Sequence, residues 1–434
     1  MKTHNSTGLC WISFSALSIV LMGGPVLANE VSSQPPQAQT QHSEYSLHVM
    51  RKLLSDMGMS LPDEYYPPSP SPSPNPQPKP EPEPEPNPEP APDNKGDDDF
   101  FDEDGFFDSD MSFEDAKKAM EDEFNDTRSA WEQEYQETVA RWQKAKEEFQ
   151  KNKETYKQGT IDIRAAAQQK PKLGNALQSS RPISLDNMKP GDFYLIPRAL
   201  DVPIQNQAGR GTCAAFTGVR AMETVLLQSD IKVNLSEQHF YWLSKEDCQQ
   251  TPCTDEQSGS WFTNGLENSK RNKVGVLTEV HCPYDISTNP KNETHTPLAC
   301  RFVPGIRAGK IYDGLSKPQV LEAIQSNYPV MAGMRLTDNF YEDSLVTVSN
   351  IGRYSGNTDS HAGGHALLLV GLIRLPAELN EGRFCAVTAN SWGDGWGVGG
   401  FGCLTEKWLD RNKIGYDAIA SAVLTDRFKV SYGL

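Results

Sequence analysis

The sequence predicts an α+β fold for residues 180–434, because helical patterns come first along this stretch and strand patterns follow. Apolar residues at helical spacing precede two further short helical segments, "SEQHFYWLS" and "FTNGLENSKRN". The residues with this spacing are Phe216, Val219, Met222 and Leu226. Three later stretches, "PVMAGMRL", "HALLLVGLIRL" and "RFCAVTANSW", are apolar and bounded by turn residues, as strands are. We therefore expect a helical half beside a half built on a sheet.

Residues 1–28 have the pattern of a signal peptide. Lys2 supplies the positive charge, residues 10–22 are mostly apolar, and Val26-Leu27-Ala28 resembles a small-residue cleavage site. The alternative is an uncleaved membrane anchor, but the apolar stretch is interrupted by serines and is shorter than the roughly 20 residues of a spanning helix. We expect export to the periplasm or the extracellular space, without stable membrane insertion.

Three segments of different composition follow the signal. Residues 29–66 include an amphipathic stretch, with apolar residues at helical spacing and Gly58 as its stop. The apolar residues are Leu47, Met50, Leu54 and Met57. Residues 67–92 are proline-rich, which favours an extended spacer. Residues 93–111 form an acidic stretch that we expect to be disordered; it lacks the ligand order of a calcium loop, and with the formal net charge of −17 it argues against a nucleic-acid partner.

Residues 112–160 predict a long helix, with Ser112 and Asp115 as a capping box and neither Gly nor Pro before Gln158. Aromatic side chains recur at intervals of seven and form one stripe along it. The stripe contains Phe124, Trp131, Tyr135, Trp142, Phe149 and Tyr156. An unbroken helix would measure about 70 Å, so we expect it to bend into a hairpin or to lie across the following domain.

The sequence contains 8 cysteines, of which Cys10 lies in the predicted signal and Cys213 has no obvious partner. The remaining cysteines are candidates for disulfides in an oxidising compartment: Cys248, Cys253, Cys282, Cys300, Cys385 and Cys403. We expect a Cys385–Cys403 bond, because the glycine-rich "GDGWGVGG" could bring their strand-like segments together. A zinc site at Cys248, Cys253 and His281 is the alternative, but its spacing is irregular and export favours disulfides.

The unpaired Cys213 stands at the predicted start of a helix, where the helix dipole favours a thiolate. An imidazole partner would activate it further, and the candidates in the folded region are His239, His281, His295, His361 and His365. His365 begins a buried strand that would hold its ring rigidly, whereas its rival His361 lies in a glycine- and serine-containing loop. Asn390, late in the strand "CAVTANSW", could orient the imidazole. This chemistry needs no metal and no organic cofactor.

From about Pro203 to Glu406 the sequence resembles the papain-like cysteine proteases. The resemblance lies in five ordered blocks: "PIQNQAGRGTCAAF", "LSEQHFYWLSKEDC", "GVLTEVHCPYD", "GGHALLLVGL" and "ANSWGDGWGVGGFGCL". It implies a two-lobed fold, with a helical left lobe, a β-sheet or barrel right lobe and the active-site cleft between them. It also implies Cys213 as nucleophile, His365 as general base and acid, Asn390 as the orienting amide and Gln207 in the oxyanion hole. Trp392 matches the tryptophan that shields the bond between the asparagine and the histidine.

The resemblance further implies substrate-binding residues and some departures from the family pattern. Gly259 and Ser260 would line the non-primed cleft, and Phe262, Gly333 and Ala366 the main specificity pocket, with Gly333 leaving room for a bulky apolar side chain. Ala214 replaces the family's tryptophan after the nucleophile. Arg210 stands where the family usually has a cysteine, so we expect Cys253 to pair with Cys282 instead, and Cys248 with Cys300.

The resulting expectation is an exported cysteine endopeptidase that hydrolyses peptide bonds of peptide or protein substrates through a Cys213 thioester. One alternative is a catalytically silent papain-like binding module on a proline-rich stalk. Another is a transpeptidase that uses the same triad. The resemblance implies that residues 112–160 form an inhibitory proregion, while self-association through the aromatic stripe is the other interpretation.

Overall fold

A computed structural model describes most of the chain after the predicted signal. The described residues are 29–32, 42–66, 113–160, 163–175, 177, 185–245, 259–271, 275–289, 291–295, 300, 305–348 and 363–432. The predicted signal peptide at 1–28, the proline-rich stretch at 67–92 and the acidic stretch at 93–111 lie outside them, as do Cys248, Cys253 and His361.

The described residues form helices and strands in the order that the sequence predicts. The helices are α1 Glu44–Asp56, α2 Phe113–Gln158, α3 Arg164–Gln169, α4 Cys213–Leu227, α5 Glu237–Leu243, α6 Phe262–Arg271, α7 Lys291–Thr294, α8 Lys317–Gln325, α9 Glu406–Asn412 and α10 Asp426–Tyr432. The strands are β1 Asn29–Ser32, β2 Phe193–Leu195, β3 Ile306–Ala308, β4 Ile311–Tyr312, β5 Val330–Arg335, β6 Leu345–Val346, β7 Gly364–Arg374, β8 Phe384–Ala389, β9 Phe401–Thr405, β10 Lys413–Ile419 and β11 Ser421–Leu424. The α+β prediction is confirmed.

The helical part is built around the buried helix α4, which packs against α5, α6 and β7. Phe240 of α5 is fully buried between the other two helices. Two glycines make this close approach feasible, because a Cβ at Gly218 or at Gly265 would collide with the Phe240 ring. The helices predicted from "SEQHFYWLS" and "FTNGLENSKRN" are therefore confirmed as α5 and α6, packed on α4.

The other part is a large mixed sheet in the order β4-β10-β5-β7-β8-β9-β6, with β2 paired to the far end of β7. A smaller sheet has the order β1-β11-β3. The central strand β7 is buried along its length except at Arg374, because α4 and other elements cover it. A strand covered on both faces reads as a continuous apolar run, which is why "HALLLVGLIRL" could be identified as a strand.

Helix α1 docks on the rest of the protein through its apolar face. Its Ser43 cap accepts a hydrogen bond from Ser46 N, and its buried residues include Met50 and Leu54. Gly58, just beyond the helix, has a φ of 74°, as a glycine at a helix end often does. The amphipathic helix expected within residues 29–66 is confirmed.

Helix α2 runs unbroken for 46 residues and lies across the protein instead of bending into a hairpin. Its first half contacts α1, where Arg51 forms an ion pair with Glu132 and lies 5.1 Å from the Trp131 ring. Farther along the helix, Trp142 and Phe149 are buried against residues near the end of β8 and the loop that follows it. The aromatic stripe is thus covered by the same chain wherever its side chains are described; the Phe124 side chain is outside the description.

Candidate active site

Cys213 occupies the junction between the helical part and the sheet. It is the first residue of α4, it is fully buried, and it forms no disulfide among the described residues. The backbone N–H groups of Ala366, Ala214 and Cys213 itself favour the thiolate and act to lower the pKa of the Cys213 thiol. Since Ala366 directly follows His365 in β7, the sulfur lies against the strand that carries the predicted base. The first N–H groups of a helix have no intrahelical acceptor, so this position also favours negative charge.

His365 is held by Asn390 and covered by Trp392. Its Nε2 lies 2.7 Å from Asn390 Oδ1, which also accepts a hydrogen bond from Ser391 N at 2.8 Å. Because Oδ1 is an acceptor, Nε2 must carry the proton, and in neutral imidazole Nδ1 then has a lone pair. No described group hydrogen-bonds to Nδ1. The Trp392 ring stacks on the imidazole at 4.6 Å, so the tryptophan that the sequence singled out does lie against the histidine.

The other candidate histidines lie elsewhere or are not described. His239 is buried in α5, where its Nδ1 lies 3.4 Å from Leu277 N. His281 lies 2.7 Å from the hydroxyl of Thr278. His361 lies outside the described residues. Only His365, among the histidines that the structure describes, shows a hydrogen bond to Asn390.

Burial favours the neutral forms of both central groups in this structure. It raises the pKa of the Cys213 thiol to about 11, although the three backbone N–H groups at the sulfur act in the opposite direction. It lowers the pKa of His365 to about 4, against the hydrogen bond that Nε2 donates to Asn390 Oδ1, which raises it. Both shifts arise because the two side chains are removed from water in this arrangement.

Gln207 lies in the loop directly before Cys213, residues 207–212, which we call the nucleophile loop. Its side-chain amide is held through both its oxygen and its nitrogen. Its Oε1 accepts a hydrogen bond from Ser391 Oγ at 2.6 Å, and its Nε2 donates to the carbonyl oxygen of Arg210 at 2.7 Å. The backbone oxygen of Gln207 also accepts a hydrogen bond from Tyr284 Oη at 2.9 Å. An amide nitrogen carries two hydrogens, so one N–H of Gln207 remains after the bond to Arg210.

Among the residues predicted for the specificity pocket, Gly333 is in contact with the indole of Trp261. A Cβ added at Gly333 would collide with that ring, so Trp261 lies against the position that was expected to leave room for a substrate side chain. Phe262 is fully buried beside it, with a ring separation of 4.4 Å. Ala366 pairs with Gly333 across β5 and β7, as the predicted pocket requires. The lining of a specificity pocket by Phe262, Gly333 and Ala366 therefore stays a prediction.

Gly259 and Ser260, the predicted cleft residues, precede that indole. Gly259 has a φ of 105° and donates its N–H to Tyr241 Oη at 2.8 Å. Ser260 is buried, and its hydroxyl has no hydrogen-bond partner among the described residues. The Gly259 N–H is thus already used within the chain.

One of the two disulfides in the described residues was predicted from the sequence, and the other differs from the predicted pairing. Cys385 and Cys403 form a bond between the paired strands β8 and β9, as predicted. Cys282 is bonded to Cys300, their Cα atoms being 4.1 Å apart. Since each sulfur forms one such bond, the predicted Cys253–Cys282 and Cys248–Cys300 pairs are both wrong.

The end of α2 packs directly on the residues around the nucleophile. The Phe149 and Tyr156 rings lie 6.0 Å and 5.7 Å from the Trp392 ring. Tyr156 Oη accepts a hydrogen bond from Asn206 Nδ2 at 3.1 Å. A Cβ added at Gly159 would lie 2.9 Å from the carbonyl oxygen of Arg210, so the chain passes close over the loop that precedes Cys213.

The segment after α2 continues past the predicted specificity pocket. Ile163 is fully buried, and its Cδ1 would lie 3.5 Å from a Cβ at Gly333. Lys170 then forms an ion pair of 2.6 Å with the buried Asp417, which also accepts a hydrogen bond from Trp261 Nε1 at 2.9 Å. Trp261, Ile163 and Asp417 were missed from the sequence; only the position of Trp261 beside the predicted cleft residues gave a signal.

Two negative observations apply to the described part of the chain. No group of three or more His, Cys, Asp or Glu side chains there could hold a metal ion. No helix there is both long enough and apolar enough to cross a membrane.

Comparison with known proteins gives consistent similarities. The sequence profile of the family described as papain family cysteine protease matches residues 198–422. The chain is 26% identical over 212 residues to digestive cysteine proteinase 3 of Homarus americanus, covering 47% of this chain and 58% of that protein. It is 26% identical over 243 residues to pro-cathepsin H of Mus musculus, covering 55% of this chain and 64% of that protein. The chain thus spans less than two thirds of the length of these relatives.

A search of solved structures also finds similar chains. Xylellain, a cysteine protease from Xylella fastidiosa, is 14% identical with a TM-score of 0.42, covering 58% of this chain and 92% of that chain.

Proposed function

The chain belongs to the papain family of cysteine proteases, and from this premise we propose that it is an endopeptidase that hydrolyses peptide bonds with Cys213 as nucleophile. The observation that carries the proposal is the joint position of Cys213 and His365. Cys213 begins α4, which packs on the strand β7 that carries His365, and the backbone N–H of Ala366, next to His365, favours the thiolate, while Asn390 fixes the imidazole with Nδ1 as its available base. A nucleophile beside an oriented base is the arrangement that acyl transfer requires.

The reaction then proceeds in two halves. The Cys213 proton passes to His365 Nδ1, and the sulfur attacks the peptide carbonyl carbon. The remaining N–H of Gln207 and the backbone N–H of Cys213 stabilise the negative oxygen. His365 returns the proton to the leaving amine, which departs and leaves a thioester. A water molecule, deprotonated by His365, attacks the thioester, and the carboxylic acid product leaves with the thiol restored.

Substitution of the two central residues tests this function. We expect Cys213→Ala and His365→Ala each to abolish hydrolysis of a fluorogenic peptide by the processed protein. His361→Ala, which removes the rival histidine, should cost little. Full activity in His365→Ala would reject the assignment, and absence of hydrolysis in the unsubstituted protein would favour the silent binding module.

We propose that the chain is exported and is folded in an oxidising compartment. The pattern of residues 1–28 supports export, and the Cys282–Cys300 and Cys385–Cys403 bonds suit such a compartment. N-terminal sequencing of the secreted protein tests this; a chain that starts before Ala28 would contradict cleavage of the signal.

The structure further supports latency: the N-terminal region covers the site on the same chain. Cys213 and His365 are fully buried, so neither can touch a substrate in this arrangement. The covering residues are those of α2 that pack on Trp392, and Ile163, which lies over Gly333. We infer that residues 112–160, with the segment that follows them, form an inhibitory proregion.

The arrangement of the flanking helices argues against the stalk interpretation. Helix α1 precedes the proline-rich stretch and α2 follows it, and both dock on the same body. The stretch therefore connects two docked helices. Comparison of a chain beginning at Pro182 with the full chain tests inhibition: the shorter chain should be the faster enzyme, and adding residues 112–160 in trans should slow it. Equal rates, with a dimer seen only for the full chain, would favour self-association.

A further inference from the structure

Arg210 lies in the loop before the nucleophile, with its charged side chain inside the protein. It is 2% exposed, although it carries a permanent positive charge. Removing a guanidinium from water is costly unless several acceptors surround it. The position, three residues before Cys213, makes the identity of those acceptors relevant to catalysis.

The acceptors of the Arg210 guanidinium come from three other segments of the chain. Nη1 donates to Gln238 Oε1 of α5 at 2.7 Å and to the carbonyl oxygen of Asp285. Nε and Nη2 each lie 3.4 Å from Glu293 Oε1 of α7. The guanidinium also lies 4.9 Å from the centre of the Tyr284 ring. One side chain thus ties the nucleophile loop to α5, to the segment after Tyr284 and to α7.

The backbone of Arg210 makes the connection to the reaction centre. Its carbonyl oxygen accepts hydrogen bonds from Gln207 Nε2 at 2.7 Å and from Thr212 N at 2.9 Å. Ser391 Oγ donates a hydrogen bond to Gln207 Oε1 at 2.6 Å and fixes that end of the amide. The bond from Gln207 Nε2 to the Arg210 carbonyl oxygen then determines the direction of the second N–H of the amide. A shift of the Arg210 backbone would therefore turn the donor that faces the developing oxyanion.

We propose that Arg210 is a positioning residue for the oxyanion hole, in that its buried guanidinium fixes the carbonyl oxygen that orients Gln207. The inference rests on the proposed peptidase function. It also gives a structural role to Arg210, which stands where the family usually has a cysteine. Its charge-assisted hydrogen bonds hold the nucleophile loop in place. Such bonds depend on geometry, and lysine cannot reproduce the planar fork of arginine.

The test compares Arg210→Met and Arg210→Lys with the unsubstituted protein. All are prepared as full chains, processed with the same added protease, checked by mass spectrometry and counted by epoxide titration of Cys213. Three quantities are measured per titrated site: kcat and KM for a peptide, the affinity of a peptide aldehyde, and the rate of alkylation by iodoacetamide. The aldehyde forms a tetrahedral adduct that uses the oxyanion hole, whereas alkylation does not.

We expect Arg210→Met to lower kcat and aldehyde affinity by about 10- to 100-fold, less than complete loss of an oxyanion donor. KM and the alkylation rate should stay within about twofold, and Arg210→Lys should recover part of the loss. The matched control is Arg220→Lys. Arg220 is also buried and donates to the carbonyl oxygens of Val202 and Pro203, but none of the hydrogen bonds described for its side chain reaches residues 207–212. The Arg220→Lys substitution should lower the stability of the protein and leave kcat per titrated site unchanged.

Two results would overturn the assignment. One is an Arg210→Met or Arg210→Lys protein whose kcat and aldehyde affinity match the unsubstituted protein. The other is a fall in the alkylation rate in step with kcat, which would indicate general damage to the site. If the unsubstituted protein hydrolyses no peptide, the proposed function fails, yet the aldehyde affinities still decide whether Arg210 orients Gln207.

Discussion

Phe149 provides the most direct contact through which α2 covers the site, and its removal should open that site. The side chain is 4% exposed, and its ring packs on Trp392 and on Tyr156, at 6.0 Å and 4.9 Å. The approach depends on Gly395, where a Cβ would lie 2.9 Å from the Cβ of Phe149. Phe149→Ala therefore removes a large apolar contact between the covering helix and the catalytic domain.

The size of the effect follows from the contact. Burying a phenylalanine side chain contributes about 1.5–3 kcal/mol, and an aromatic pair adds about 0.5–1.5 kcal/mol. The closed state of Phe149→Ala should thus lose about 2–4.5 kcal/mol, which raises the equilibrium constant for opening about 30- to 2000-fold. Because only the open state exposes Cys213, its alkylation rate should rise by the same factor until opening is complete.

The assay measures alkylation of Cys213 by a thiol-reactive epoxide in the intact full chain. Mass spectrometry follows the adduct and verifies that the chain has not been cut. Glu147→Ala, which changes an exposed residue of the same helix, is the control and should react at the original rate. The reasoning is refuted if Phe149→Ala and Glu147→Ala are alkylated equally slowly.

Three further predictions concern the stability of the protein, each measured by urea unfolding. Replacing both Cys385 and Cys403 with serine should lower the free energy of unfolding by about 2–4 kcal/mol, and no change would mean that the bond does not constrain the chain. Burial lowers the pKa of His239 to about 3, so the unfolded chain binds more protons below about pH 6.5 and stability falls as the pH drops from about 6.5 to about 3. His239→Gln should reduce that slope by up to about 1.4 kcal/mol per pH unit, and an unchanged slope would contradict the assignment. Gly333→Ala should cost about 1–3 kcal/mol because the new methyl group displaces Trp261, and unaltered stability would show that the indole can move freely.

The strands and the central residues were accessible to sequence reasoning for physical reasons. A strand covered on both faces must be apolar along its length, so β7 could be recognised with His365 near its start. Cys213 was identifiable because it is the odd thiol of a chain expected to be exported and stands at the start of a helix. These features depend on residues close together in the sequence.

The features that the sequence did not reveal depend on distant parts of the chain. The ring over Gly333 is that of Trp261, a contact between residues far apart in the sequence. The Cys282–Cys300 bond could not be derived, since six cysteines allow about 15 pairings. The packing of α2 on Trp392 and of Ile163 near Gly333 joins distant segments, and no local pattern encodes those contacts.

The most direct test of the claim that Cys213 is the nucleophile is to label the processed protein with a thiol-reactive epoxide. The test identifies the labelled residue and measures the effect of labelling on hydrolysis. Peptide hydrolysis and covalent labelling are followed together, and the modified residue is mapped by mass spectrometry. If Cys213 is the nucleophile and His365 its base, one label per molecule on Cys213 should abolish hydrolysis in proportion, and His365→Ala should lose both labelling and hydrolysis. Hydrolysis that persists after complete labelling of Cys213 would contradict the claim.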